Sequence, residues 1–290
     1  MAPARQDRLY HPPSSECPLC PTRAGGPETE IPEPDYHIAV FENRFPAFSG
    51  GPGRCEVVCY TPVHDSSLGD QPLGQIRDLV EVWQDRFREL SRQPGVRYVY
   101  IFENRGEEIG VTLTHPHGQI YAYPFLPPIA RRHLAAGARY HRRTGRCVYC
   151  DVIRSEEAAG RVIDGDEHWL AFVPGFARWP YEVHLAPREH RGDITELTGA
   201  EADSMARLLK SVLQRYDRLF ARPLPYVMAM HQRPPGRGHG HHHFHVEFYP
   251  PNRTAEKLKY LAGSELGMGA FVVDARAEDT AGRLRDAGPG

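Results

Sequence analysis

The sequence lacks a hydrophobic run long enough for a membrane-spanning helix. Such a helix needs roughly 18 apolar residues, whereas the run at residues 98–102 has only the length of a strand. The first twenty residues are polar and rich in proline, without the apolar segment of a secretory signal. We therefore expect a cytoplasmic protein that does not cross a membrane.

The sequence also lacks an excess of charge of one sign. Its 290 residues include 35 Lys and Arg against 37 Asp and Glu, which gives a net charge of −2. A general nucleic-acid binder usually carries a clear basic excess, so the charge argues against that class of partner. The composition, 40% hydrophobic and 25% charged, is that of a globular protein and excludes a wholly disordered chain.

Four of the six cysteines form two Cys-x-x-Cys pairs, Cys17 with Cys20 and Cys147 with Cys150. In a reducing compartment we do not expect a disulfide framework, so these pairs are metal ligands or redox pairs. A redox pair stands between a strand and a long helix, whereas the prolines near the first pair and the glycine before the second favour a tight metal-binding turn. The other two cysteines, at 55 and 59, are expected in the core.

Apolar residues that recur at spacings of three and four predict long helices over residues 71–93 and 199–220. Strand-like segments fall at 36–41, 55–60, 96–103, 118–123, 169–173, 182–187, 226–231 and 244–249. Polar residues recur at a nearly constant shift, for example His115 and His243 (243 − 115 = 128). We therefore predict an α+β protein of two similar halves, 1–128 and 129–290, each with an antiparallel sheet and a long helix, and with a tail from about residue 252.

Each half offers two cysteines and two histidines, a donor set that makes a closed tetrahedral zinc site of the structural kind. Such a site would tie a proline-rich arm to a sheet and contribute to folding. The alternative is free core cysteines with unrelated histidines. The predicted zinc ligands are Cys17, Cys20, His64 and His115 in the first half, and Cys147, Cys150, His190 and His243 in the second. We expect His239, His241 and His242 in a solvated loop.

The segment His115-Pro-His117-Gly-Gln119 points to chemistry on phosphorus. Residues two apart on a strand share a face, so His117 would lie beside the metal ligand His115. A neutral imidazole can attack phosphorus and form a covalent intermediate, and the amide of Gln119 can donate to a phosphoryl oxygen. The alternative is that His117 is an ordinary core histidine.

These motifs, together with Phe-Tyr-Pro-Pro at 248–251, resemble the galactose-1-phosphate uridylyltransferase family, in the nucleotidyltransferase branch of the histidine-triad superfamily. The resemblance extends over residues 5–284 and implies a duplicated histidine-triad-like fold. It also implies that His117 attacks the α-phosphorus of UDP-glucose and releases glucose 1-phosphate. The uridylyl group, steadied by Gln119, would then pass to galactose 1-phosphate in a ping-pong reaction of galactose metabolism.

The resemblance further implies a set of substrate-binding residues and a homodimer whose active site takes residues from both subunits. The phosphate contacts would be Asn104, Gly110 and Thr112, the nucleoside contact Asn43, the diphosphate contacts Arg5 and Arg8, and the hexose-phosphate contacts Lys259 and Glu265.

Some positions depart from the family pattern. Arg44 replaces an acidic residue that pairs with the ribose, and Ser264 and Phe271 replace Tyr and Gln residues that contact the hexose. A related nucleotidyltransferase or phosphorylase acting on ADP-glucose or a dinucleoside polyphosphate is therefore the alternative. A non-catalytic nucleotide sensor and a zinc-ribbon nucleic-acid binder are further alternatives, which the His117 motif and the net charge disfavour.

The second half has Glu247 where the first has Gln119, so we expect it to be catalytically silent. His133, His231, His245 and Glu247 would be the remnants of a metal site that other members of the family have at this place.

Overall fold

The computed structural model describes residues 10–48 and 51–288. Within these residues, nine strands form one antiparallel sheet in the order β1-β2-β4-β3-β8-β9-β7-β6-β5. The strands are β1 (Ala39–Glu42), β2 (Arg54–Cys59), β3 (Tyr98–Arg105), β4 (His117–Tyr123), β5 (Val162–Gly165), β6 (Trp169–Phe172), β7 (Val183–Pro187), β8 (Tyr226–His231) and β9 (His245–Tyr249).

The sheet consists of two similar halves that meet at the β3–β8 pair, where Phe102 lies opposite Ala229. Read outward from this joint, β3-β4-β2-β1 in one half corresponds to β8-β9-β7-β6 in the other. The predicted α+β fold of two similar halves is confirmed, with the addition that the two half-sheets are continuous. The division of the chain at residue 128 stays a prediction.

The helices are α1 (Leu73–Arg92), α2 (Pro128–Thr144), α3 (Val148–Ala158), α4 (Gly199–Leu219) and α5 (Ala277–Asp286). Helices α1 and α4 were predicted, because each has a broad apolar stripe. Helix α2 buries only Ala130, Leu134 and Gly137, a stripe too narrow to detect among its arginines. None of the helices in the described part of the chain is long and apolar enough to span a membrane.

Helices α1 and α4 pack side by side on one face of the sheet and form most of the core. Trp83 of α1 and Tyr216 of α4 are fully buried there, beside Phe248 of β9. Helix α4 begins with a capping box, in which Thr198 accepts the backbone N–H of Glu201 and the Glu201 carboxylate accepts that of Thr198. Because this face takes the apolar residues, polar groups can gather on the opposite face.

Strand β4 shows how this division places polar residues. Ile120 and Ala122 are fully buried in the core, whereas His117, Gln119 and Tyr121 alternate with them and are half-buried. Side chains alternate across a strand, so these three residues share the face away from α1 and α4. The sheet therefore presents the polar residues of the motif on one rigid surface.

Two local predictions were wrong. The tight turn predicted at Cys147–Cys150 is instead the start of a helix, because Cys147 is the N-cap of α3 and Cys150 lies in its first turn. The predicted solvated loop of His239, His241 and His242 is wrong for His242, which is buried, and only partly right for His241, whose Nε2 lies 3.1 Å from the Leu134 carbonyl oxygen of α2. The predicted tail after residue 252 contains α5, which returns to the core and buries Ala281 and Leu284.

Candidate active site and metal centres

A cavity of about 690 Å³ opens on the polar face of the first half-sheet. Its volume lies in the range of small-molecule sites. The structure brings together six of the residues that the sequence suggested, since the lining includes Asn43, Asn104, Gly110, Thr112, His117 and Gln119. Arg5 and Arg8 lie outside the described residues.

The ring of His117, the first residue of β4, is held by the backbone just before the strand. Its Nδ1 lies 2.8 Å from the carbonyl oxygen of His115, which can only accept, so Nδ1 carries the proton. Nε2 then keeps its lone pair. Burial lowers the pKa of His117, which favours the neutral ring at neutral pH. The imidazole is thus fixed in the tautomer that a nucleophile at Nε2 needs.

Steric contacts explain why the residue between His117 and Gln119 is a glycine. A Cβ at Gly118 would lie 2.1 Å from the hydroxyl oxygen of Tyr60 and 3.0 Å from the carbonyl oxygen of Phe102. Tyr60 comes from the end of β2, behind the cavity, and is itself fully buried. Only glycine lets the strand that carries His117 lie this close to its support.

The segment between β3 and β4 forms one wall of the cavity. It turns through Gly106 and Gly110, whose φ angles are 97° and 81°. A Cβ at Gly106 would lie 2.5 Å from Cβ of Pro225, so the segment packs closely on the second half. Asn104, at the end of β3, and Thr112 line the cavity on either side of this turn. Small polar residues here leave room for a phosphate group.

The remaining walls are aromatic and apolar, and sequence reasoning did not assign them to the site. Phe102 and Tyr121 meet edge to face with ring centroids 5.0 Å apart, and Val57 of β2 lies across from Gln119. At the exposed rim, Arg44 Nη1 lies 3.2 Å from Glu30 Oε1. The same-face rule applied from Gln119 would have found Tyr121, but Val57 needs the strand register.

The first predicted metal centre is formed by Cys17, Cys20, His64 and His115, whose ligand atoms all lie within 4.8 Å of one another. Cys20 Sγ lies 3.4 Å from His64 Nδ1 and 3.5 Å from His115 Nδ1. A tetrahedral zinc ion with ordinary bond lengths would place sulfur and nitrogen ligands about 3.6 Å apart. The donor set and the spacing therefore fit zinc.

The second centre, formed by Cys147, Cys150, His190 and His243, has the same donor set within the same limit. Cys150 Sγ lies 3.3 Å from His243 Nδ1 and 3.7 Å from His190 Nδ1. This centre is the more open of the two, since His190 is exposed.

In both centres each histidine points Nδ1 toward the cysteine sulfurs, and its Nε2 forms a hydrogen bond with an oxygen of the protein. The Nε2 atoms of His115, His190 and His243 lie 2.9, 3.0 and 2.9 Å from carbonyl oxygens, and that of His64 lies 3.3 Å from the Thr114 hydroxyl. A carbonyl accepts only, so the proton is on Nε2 and Nδ1 is free to bind a metal. Burial also lowers the pKa of His115 to about 4, which keeps this ligand neutral.

A third cluster is formed by His133, His231, His245 and Glu247. It differs from the two zinc centres because the carboxylate of Glu247 is already paired with other side chains. The guanidinium of Arg178 is paired with Glu247 and lies 3.1 Å from Glu182 Oε1. His245 Nε2 lies 3.0 Å from Glu247 Oε1. Arg178 thus supplies, inside the protein, the positive charge that a metal ion would bring.

The two predicted hexose-phosphate contacts lie together in the C-terminal tail, away from the lining of the cavity. Lys259 Nζ lies 3.4 Å from Glu265 Oε1, and the Lys259 side chain is fully buried. Around them several apolar side chains are exposed: Tyr260, Leu266, Met268 and Val272. The structure of one chain therefore does not join this pair to His117.

Comparison with known proteins identifies the family. A sequence model described as galactose-1-phosphate uridyl transferase, N-terminal domain, matches residues 49–127, and its C-terminal counterpart matches residues 134–287. A galactose-1-phosphate uridylyltransferase of Thermotoga maritima is 41% identical over 302 residues, which cover 98% of this chain and 93% of the relative.

Solved structures agree with this match. A uridylyltransferase superposes with a TM-score of 0.87 at 36% identity, over 97% of this chain and 93% of that chain. An ADP-glucose phosphorylase from Arabidopsis thaliana with bound ADP-glucose superposes with a TM-score of 0.83 at 26% identity, over 98% of this chain and 93% of that one. The chain belongs to the galactose-1-phosphate uridylyltransferase family.

Proposed function

We propose that the protein transfers a uridylyl group from UDP-glucose to galactose 1-phosphate through a covalent intermediate on His117. The observation that carries the proposal is the fixed tautomer of this ring beside a cavity of substrate size. Nδ1 donates to the His115 carbonyl at 2.8 Å, so the Nε2 lone pair is the one available. Membership of the family supplies the substrates.

In the first step the Nε2 lone pair of His117 attacks the α-phosphorus of UDP-glucose. A nitrogen–phosphorus bond forms, and the bond from the α-phosphorus to the bridging oxygen breaks, so that glucose 1-phosphate leaves with the electron pair. In the second step a phosphate oxygen of galactose 1-phosphate attacks the same phosphorus, and the bond to Nε2 breaks. UDP-galactose leaves and the neutral imidazole is restored.

The polar residues around the cavity would bind the substrate and stabilise the charge on phosphorus. Gln119, on the same face as His117, would donate its amide to a phosphoryl oxygen. Asn104, Gly110 and Thr112 would hold the phosphates, and Asn43 would lie toward the nucleoside. Arg5 and Arg8 stay predictions for the diphosphate, as does the cytoplasmic location.

We propose zinc as the ion in both metal centres, with a structural role in each. Two thiolates and two imidazoles leave no open position for substrate, which is the pattern of a closed site. The first centre ties the 10–36 arm to the sheet next to His117, because His115 is both its ligand and the acceptor for His117 Nδ1. The second ties the start of α3 to β9 and its flanks.

We also propose a homodimer that shares its active sites, and halves that divide at residue 128. Lys259 and Glu265 lie outside the cavity of their own chain, so a partner subunit would have to bring them to it. The exposed apolar side chains beside them, with Leu266 73% and Met268 84% exposed, are the kind of surface that a subunit interface covers. The short link between β4 and α2 supports the division near residue 128.

Intact mass after mixing the purified protein with UDP-glucose alone tests the proposal. We expect a uridylyl adduct on the native chain and none on His117→Asn. The control His168→Asn should keep the adduct, because His168 lies in the turn between β5 and β6 and does not line the cavity. A native protein that holds its zinc but forms no adduct with either UDP-glucose or ADP-glucose would contradict the covalent mechanism.

The second candidate function is phosphorolysis of ADP-glucose, which the superposition on the Arabidopsis thaliana enzyme supports. At the tail, the Ser264 hydroxyl donates to the Ala270 carbonyl at 2.8 Å, and Phe271 lies against Trp179 at 6.3 Å between centroids. Neither residue offers the polar contacts that its family counterparts make with a hexose. Two assays separate these functions. One measures turnover of UDP-glucose with galactose 1-phosphate, and the other measures turnover of ADP-glucose with phosphate.

A further inference from the structure

The amide of Gln119 has two ends with opposite effects on a phosphoryl group. Its NH₂ donates to a phosphoryl oxygen and stabilises negative charge, whereas its carbonyl oxygen would repel that oxygen. A rotation by about 180° about the last side-chain bond exchanges the two ends, and this torsion has only a broad preference of its own. Catalysis therefore needs a neighbour that fixes the rotation.

Asn43 is placed to be that neighbour. Its Nδ2 donates to Gln119 Oε1 at 3.3 Å. The Asn43 amide is oriented in turn, because its Oδ1 accepts the backbone N–H of Phe45 at 2.9 Å. A backbone N–H can only donate, so Oδ1 must face Phe45, Nδ2 must face Gln119, and Gln119 must present its oxygen to Asn43. The Gln119 NH₂ is left for another acceptor.

The backbone holds the two amides in register. The Asn43 N–H donates to the Cys55 carbonyl at 2.7 Å, which extends the β1–β2 pairing by one residue. Gln119 lies opposite Val57 on the other side of β2. Both side chains reach over β2 on the cavity face, and both are half-buried. The contact thus joins two strands that are rigidly tied to the same central strand.

We propose that Asn43 is a positioning residue: it holds the Gln119 amide with Nε2 toward the reacting phosphoryl group. The inference rests on the proposed function, and it adds a role that a nucleoside contact alone would not have. The chain of donors runs from the Phe45 N–H through Asn43 to Gln119, and ends on the substrate.

The decisive substitution is Asn43→Asp, which keeps the size and the acceptor for the Phe45 N–H. A carboxylate has no donor, so Gln119 would turn its NH₂ toward it and its oxygen toward the phosphoryl group. We expect adduct formation at saturating UDP-glucose to slow about 100-fold or more, as for Gln119→Ala, since one lost donor of this kind has an effect of that size. Asn43→Ala, which leaves the amide free to rotate, should slow it about 10-fold.

A double-mutant cycle separates this effect from simple repulsion between a new carboxylate and the substrate. In the Gln119→Ala background, Asn43→Asp should slow adduct formation less than about 3-fold further, because the amide that it reorients is gone. A full 100-fold further loss would mean that the charge acts directly on substrate. An unchanged rate with a raised KM in Asn43→Ala would make Asn43 a substrate contact, and either result overturns the inference.

A measurement without turnover keeps the inference distinct from the proposed function. In protein labelled with ¹⁵N at glutamine, the Gln119 side-chain amide signal can be assigned by its loss in Gln119→Ala. We expect this signal to shift in Asn43→Asp, while the melting temperature stays close to that of the native chain. An unmoved signal would overturn the inference, whereas a native chain that forms no adduct at all would count against the proposed function alone.

Discussion

Glu103 is a fully enclosed carboxyl at the joint between the two halves, and its burial leads to a quantitative prediction. It is 5% exposed and lies on β3, on the face that packs under α1. The hydroxyls of Tyr226 and Tyr60 donate to its two oxygens at 3.0 and 3.3 Å. The positive charge nearby is Arg105, which is already paired with Asp217 at 2.8 Å.

Burial raises the pKa of Glu103 from 4.5 to about 7, although the tyrosine hydrogen bonds and Arg105 act in the opposite direction. The folded protein therefore disfavours the ionised form. The stability that the neutral carboxyl contributes is fully present below the unfolded pKa and is lost as the pH rises through 7. A shift of 7 − 4.5 = 2.5 units corresponds to about 3 kcal/mol, of which about 2.5 kcal/mol falls between pH 5 and 8.5.

The substitution Glu103→Gln removes the titration and keeps the shape. Relative to this variant, we expect the native chain to lose about 2.5 kcal/mol in free energy of unfolding between pH 5 and 8.5. Urea unfolding followed by tryptophan fluorescence at several pH values measures this difference. The matched control is Glu33→Gln, which removes a carboxylate at an exposed position. A difference between native chain and Glu103→Gln that stays level across this range would refute the reasoning, because Arg105 and the tyrosines would then stabilise the charge fully.

Other substitutions test the supports of the site. Gly118→Ala should lower the free energy of unfolding by about 1–3 kcal/mol and slow adduct formation, because its Cβ would lie 2.1 Å from the Tyr60 hydroxyl oxygen; an unchanged melting temperature would contradict this. Thr198→Ala should cost about 1 kcal/mol in urea unfolding through loss of the α4 cap, and Thr198→Ser should restore most of it. Cys147→Ser should leave one fewer zinc ion per chain by elemental analysis, while Cys55→Ala keeps the native content; equal contents would argue against the second centre.

The predictable part of the fold was the part with strong hydrophobic periodicity. Helices α1 and α4 bury broad apolar stripes, and eight of the nine strands alternate or are largely apolar, so these elements were found. The edge strand β5 was missed, because its four residues have only two apolar side chains. Helices α2, α3 and α5 bury few side chains each. Their positions follow from packing against a sheet that is assembled only after distant strands pair, and local pattern carries little of that information.

The same distinction between local pattern and long-range packing applies to the residues of the site. The relationship between His117 and Gln119 could be predicted, because residues two apart on one strand share a face whatever the rest of the fold does. His115 lies just before β4 and contacts His117 through its backbone carbonyl, which the same-face rule does not predict. The contact between Asn43 and Gln119 could not, because it depends on the registers of β1 and β4 against β2. The Arg178 contact with Glu247 joins residues 69 positions apart and has no local signal at all.

The duplicated fold offers the same nucleophile geometry twice, and the structure shows what separates the two copies. His245 Nδ1 lies 2.8 Å from the carbonyl oxygen of His243, as His117 Nδ1 lies 2.8 Å from that of His115. In the second half, however, Glu247 Oε1 lies 3.0 Å from Nε2, so a carboxylate stands where a phosphoryl group would have to approach this atom.

The residues around His245 add to the difference between the two copies. Glu247 is held by Arg178, and the His245 ring stacks against Tyr149 of α3 with centroids 4.1 Å apart, so Tyr149 covers one face of that ring. In the first half the corresponding residues, His117 and Gln119, line the cavity, and Gln119 is neutral and carries a donor. We therefore expect the second copy of the geometry to be catalytically silent, because Glu247, Arg178 and Tyr149 together occupy the space and the charge that a phosphoryl group would need.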